Sequence, residues 1–195
     1  MDKKTLSLNI SWEIHDNWTE VLAGTYYILN DPLCNTAKKI STSVLTRTVI
    51  ILSHQIVEIM FFNTIHEYLR QHKSELPVST VEAVENGIED NIGFKRAFIR
   101  WPKLLINNAF DRSCEPLSSQ ERLRRLRNES IHWPAGNAVN DLANSAYYTA
   151  IESAKLIYSY FYNWEESEYS KFVEKYPAST NVHLIKAMQM TKKHL

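Results

Sequence analysis

The sequence predicts an all-α fold, an antiparallel bundle of two long helices and several shorter ones. Three observations carry this. Glycine occurs 4 times in 195 residues, so breakers are scarce and helix formers dominate. A stretch of about 35 residues lacks Gly and Pro altogether and repeats its apolar positions every three or four residues. At 44% hydrophobic and 11% aromatic, there is enough apolar material for a buried core.

The first segment is the exception. Leu6, Leu8, Ile10, Trp12 and Ile14 alternate with polar residues, the period of a half-buried strand. An extended or β segment at residues 5–14 is therefore expected, pairing with a partner chain or packing as an arm. Asp16 or Asn17 would then cap a helix ending before Asn30-Asp31-Pro32. The long helix runs from about Thr36 to about Lys73, with Ile40, Val44, Ile51, Ile56, Met60, Ile65 and Leu69 on its apolar face. After Pro77, Ser79 or Thr80 caps a short acidic helix ending near Asn91, with Gly93 as a further break. Phe94 to Phe110 reads as two helical pieces meeting at Pro102. Ser118-x-x-Glu121 has the form of a capping box for a helix reaching about Ile131, stopped by Pro134 and Gly136. Asn137 to Tyr162 is the second long helix, and helices at about 166–175 and 182–194 finish the chain around Pro177.

No repeat or linker interrupts this order, so residues 1–195 are expected to form a single helical domain. The 22 basic and 22 acidic side chains cancel, which argues against coating nucleic acid by bulk charge and leaves only a local patch. Cys34 and Cys114 are too few for a disulfide scaffold or a thiolate metal site. The start of the chain has no unbroken hydrophobic region, and polar residues interrupt the apolar window Val44 to Phe62. The expectation is a soluble cytoplasmic protein with no membrane contact.

Metal chemistry is poorly provided for. His66-Glu67 opens like a helical zinc motif, but the position four after His66 is Arg70. His54 and Glu58 are one i,i+4 pair, ordinarily a partly buried hydrogen-bonded pair on a core helix. No metal and no cofactor is expected. Phosphate-loop glycines and a nucleophile elbow are both missing from the sequence.

The informative residues are Leu126-Arg127-Asn128-Glu129-Ser130-Ile131-His132. A permanent cation and an imidazole that titrates near neutrality are suitable parts for phosphodiester cleavage. On a continuous helix the two would sit roughly 140° apart around the axis. Loosening of the helix at Ile131 would let them converge.

This segment resembles the signature of the HEPN superfamily: Arg, a gap of about four to six residues, then His, often with a polar residue directly after the Arg. The resemblance implies a HEPN-type helical bundle acting as a metal-independent endoribonuclease in a toxin, phage-defence or RNA-processing role. Such a protein would work as a homodimer whose cleft holds the Arg and His of both chains. His132 would then be the general acid or base, Arg127 would bind the scissile phosphate, and Asn128 would orient the His or a phosphate oxygen. RNA is the implied substrate, and a protein antitoxin or regulator a further partner. Pro134 occupies the place where one HEPN group, paired with nucleotidyltransferase antitoxins, has a modified Tyr, so that regulation is not carried over. The superfamily also holds copies without catalysis, so a HEPN-like binding or regulatory module is the alternative. A helical structural protein with a coincidental motif is a third.

Around the motif, Arg122, Arg124 and Arg125 could rim a phosphate track, or form a solvated face paired with Glu121 and Glu129. Lys95, Arg96, Arg100, Trp101 and Lys103 form a second basic stretch, with Arg100 and Trp101 as RNA-binding candidates and Phe94 and Phe98 assigned to the core. Trp133 could stack a base or pack beneath the turn. Glu58, in a minor variant of the HEPN reading, supports His132.

Overall fold

The structure, a computed structural model, describes residues 3–31, 40–132, 140–179 and 181–192. Eight α-helices and one 3-10 turn account for most of them: α1 Lys3–Asn30, α2 Ile40–His72, α3 Val78–Glu89, α4 Phe94–Ile106, α5 Leu117–His132, α6 Asn140–Ser159, the turn Trp164–Glu166, α7 Glu168–Lys175 and α8 Leu184–Lys192. No strand occurs among the described residues. The all-α expectation holds.

The centre is α2 against α6. Ile56, Val57, Met60, Phe61 and Ile65 of α2 are fully buried, as are Ala146, Ala150 and Ala154 of α6. The small α6 residues, at four-residue spacing, let the bulkier α2 face approach closely. α2 is rich in β-branched residues, yet it stays helical over 33 residues. Thr48 and Thr64 satisfy their hydroxyls within the helix, donating to the carbonyls of Val44 and Met60 one turn back. By length and composition, Val44–His72 could also cross a membrane, so its polar residues do not exclude a span as the sequence reading has it. Here 61% of its most apolar window is buried within the protein.

α1 runs opposite to α2 and α6. Trp18 of α1 meets Tyr169 beside the end of α6, whereas Tyr26 lies against Tyr147 nearer the start of α6, so α1 runs opposite to α6. α2 and α6 end together, with Tyr68 against Phe161 and Tyr162. The Trp18 indole also donates to the carbonyl of Ile56 at 3.1 Å, pinning α1 to α2. α8 is clamped at its start, where Thr149 of α6 and Ser119 of α5 accept hydrogen bonds from the amides of Leu184 and Ile185. These side chains satisfy donors that a helix start leaves unpaired.

Four local expectations are corrected. Residues 5–14 are helical, within α1, and Asp16 and Asn17 lie inside that helix rather than capping it. An isolated strand would leave its backbone groups unpaired. The alternating set also contains Leu6/Ile10/Ile14 and Leu8/Trp12, pairs four apart that suit a helix equally well. α3 begins at Val78 with Pro77, not Ser79 or Thr80, at its N-cap, and the Pro77 carbonyl accepts from Thr80 and Val81. It stops at Glu89, with Asn91 in the left-handed region at φ 52°.

Pro102 lies inside the single helix α4 rather than between two pieces. It removes one backbone hydrogen bond, but Phe94, Ala97, Phe98, Trp101, Pro102 and Leu105 all bury one face of that helix and hold it in register. Finally, α5 starts at Leu117, one residue before the expected cap, with the Gln120 amide already bonded to the Pro116 carbonyl. Glu121, instead of closing a capping box, turns to arginines.

Candidate nucleic-acid site

α5 carries the Arg-His motif at its C-terminal end. The backbone is helical through His132, so the loosening expected at Ile131 does not occur. The attachment points of Arg127 and His132 are therefore roughly 140° apart around the axis. Arg127 is half-buried, and its Nη1 donates to Asn128 Oδ1 at 3.1 Å. It pairs with no carboxylate among the described residues, and Asn128 is exposed. The His132 side chain and all of Trp133 lie outside what the structure describes.

The arginines upstream differ in what holds them. Arg124 Nη2 donates to Glu121 at 2.8 Å, and Arg125 Nε lies 3.8 Å from the same carboxylate. Arg122 is exposed and forms no ion pair with a described residue. The Glu121 carboxyl is held below its ordinary range, first by the hydrogen bond from Arg124, against partial desolvation, and further by the charges of Arg124, Lys95 and Arg125. Lys95, at the start of α4, thus acts on Glu121 through its charge alone.

On α4 the candidates separate. Trp101 is 2% exposed and stacks on Phe61 at 6.1 Å and 15°, so it is a core residue and offers no face to a base. Phe94 and Phe98 are core as expected. Arg100, by contrast, is exposed along with Lys95, Arg96 and Lys103. Arg112, in the loop before α5, is exposed too; it lies outside both basic stretches singled out from the sequence, and only its charge marks it.

Elsewhere, titratable side chains pair locally. His54 is buried with Nδ1 3.3 Å from Glu58, and its ring meets the edge of Phe94. That contact is an ion pair by distance but lacks hydrogen-bond geometry, which corrects the expected hydrogen-bonded pair. Glu58 thus faces His54 from one turn along the same helix. Glu67 takes Gln71 and Arg70, and burial pushes the His66 imidazole down. Among the described residues no three His, Cys, Asp or Glu side chains gather as metal ligands. Cys114 is a free, exposed thiol, and Cys34 lies outside the described residues. No family model, no curated protein and no solved structure matches the chain.

Proposed function

We propose that the chain is a metal-independent endoribonuclease of HEPN type, cleaving RNA through Arg127 and His132 at a site shared by two copies, in a toxin, phage-defence or RNA-processing role. The supporting observation is the state of Arg127: it keeps its guanidinium clear of every described carboxylate, while Arg124 and Arg125 share Glu121. A cation with no described carboxylate partner, in the last turns of α5, can take a phosphate.

The chemistry follows from those side chains. The His132 imidazole takes the proton of the ribose 2′-hydroxyl, and the oxygen attacks the adjacent phosphorus. Charge gathers on the phosphoryl oxygens, where Arg127 stabilises it. The 5′-oxygen leaves with a proton given by an imidazolium, that of His132 or of its counterpart in the second copy, giving a 2′,3′-cyclic phosphate and a 5′-hydroxyl. Asn128 Oδ1 is engaged by Arg127, which leaves its amide N–H groups to donate to a phosphate oxygen. The attachment points of Arg127 and His132 lie roughly 140° apart on α5, which supports a site whose complementary member comes from a second copy.

A concentration series tests this reading. Specific activity on RNA should rise with the dimer fraction measured by ultracentrifugation, and DNA of the same sequence should remain intact. Cleavage of DNA at a similar rate, or undiminished activity in dilute monomer, would overturn it. The second reading, a non-catalytic HEPN-like binding or regulatory module, draws on the same helical continuity, since the attachment points of Arg127 and His132 in one chain lie roughly 140° apart around the axis.

A further inference from the structure

We infer that the exposed face of α4 is a phosphate track that holds RNA by its backbone and leads it onto α5. This deepens the nuclease reading and rests on it for the identity of the polyanion. Residues 94–128 hold nine basic side chains and three acidic ones, so a neutral chain concentrates an excess of six positive charges there and balances it elsewhere. On α4 the cations Lys95, Arg96, Arg100 and Lys103 all fall within about 140° of arc and span about 12 Å of axis. All four are exposed, and none forms an ion pair with a described residue. No acidic side chain lies on that helix. On α5, Arg122 and Arg127 likewise have no carboxylate partner among the described residues, and Lys95 adds its charge to the field at Glu121 of that helix.

The occupant follows from what the face lacks. The aromatic rings of α4, Phe94, Phe98 and Trp101, are spent on the core, so no platform for base stacking remains and recognition is by phosphate alone. A lipid surface would need apolar side chains to insert. This face offers only Ile99 and Leu104, at 40% and 39% exposure. An acidic peptide would match the charge of one helix, but cations without a described carboxylate partner occur on two helices and at the loop residue Arg112 between them in sequence. A long polyanion matches that extent.

The test is binding, measured separately from cleavage. Fluorescence anisotropy of a labelled 30-nucleotide RNA is followed against salt for the His132→Ala protein. It is repeated with Lys95→Gln, Arg96→Gln, Arg100→Gln and Lys103→Gln added, with circular dichroism confirming an unchanged thermal midpoint. Four lost single-strand phosphate contacts should reduce the salt slope by about 2.8, so that the parent loses roughly 50-fold more affinity than the variant between 50 and 200 mM salt. DNA of the same sequence should bind within a few-fold of RNA, because phosphates and not 2′-hydroxyls are read. An unchanged slope overturns the track, as does loss confined to phosphatidylserine vesicles or to a polyglutamate peptide. Binding that fails in the α4 variant while the chain with His132 and Arg127 intact never cleaves RNA would sink the nuclease reading and leave the track standing. Cleavage with an unaltered KM in the same four substitutions, made with His132 intact, would do the reverse.

Discussion

Replacing Trp101 by Ala separates a core role from a base-stacking one. Its ring is 2% exposed, stacked over Phe61 with Phe62 edge-on at 5.8 Å. It also lies against α3, where a Cβ added at Gly87 would come within 3.0 Å of its Cζ2. Removing such a ring from a packed interior costs about 3–5 kcal/mol, in part for the cavity left behind. For a chain of this size that is a fall of about 6–20 °C in Tm, and a large share of the ~5–15 kcal/mol typical of a folded protein. Urea denaturation followed by far-ultraviolet circular dichroism measures it, with the other tryptophans left out of the readout. RNA affinity of the folded variant should keep its salt slope. Stability within about 0.5 kcal/mol of the parent, together with weakened RNA binding, would refute the placement of this ring in the core.

Four further outcomes follow from named contacts. Gly87→Ala gains about 1 kcal/mol of helix propensity but presses a methyl onto the buried Trp101 ring, so a net loss of about 1 kcal/mol is expected by chemical denaturation; a stabilised variant would contradict the contact. Tyr147→Phe strips the 2.8 Å hydrogen bond to the Tyr176 carbonyl and should cost about 1–2 kcal/mol, with a loss near zero showing that the carbonyl finds water instead. Asp111 is held at a pKa of about 2, first by the Ser113 hydroxyl, then by the Cys114 thiol and the Ser113 amide. A depressed folded pKa favours the charged form, so its contribution is present above about pH 4 and lost as pH falls toward 2; a carboxyl titrating near 3.8 by NMR would contradict it. Glu121→Gln frees Arg124 and Arg125 from their shared carboxylate and should steepen the salt dependence of RNA binding by about one unit, whereas a shallower slope would show that Glu121 positions the arginines usefully.

What was legible in the sequence depended on how many independent signals agreed. α2 and α6 have unbroken periodicity and no interior Gly or Pro, so local propensity and packing point the same way. Residues 5–14 carry a pattern that serves both periods, and a strand needs a partner that only the assembled fold can supply or deny. Pro102 reads locally as a break, yet one missing hydrogen bond is outweighed by its own burial and that of five neighbours on the same helix face. At the site, the cluster of arginines was visible, but which of them Glu121 occupies depends on side-chain reach across one turn. Trp101 sits among cations in sequence and faces the core in space, because Arg100 and Lys103, one and two positions away, are turned about 100° and 200° from it around the helix axis. Trp133 and the His132 side chain, both central to the sequence reading, lie outside the described residues.

The central claim is that Arg127 and His132 cleave RNA through its 2′-hydroxyl. It is tested most directly by incubating the full chain with structured and unstructured RNAs in EDTA, beside Arg127→Ala and His132→Ala, and identifying the new 3′ ends. New 2′,3′-cyclic phosphates from the parent, lost in both variants, are the result expected. No cleavage across the panel, with all three proteins equally folded and dimeric, or cleavage that survives both substitutions, would contradict it.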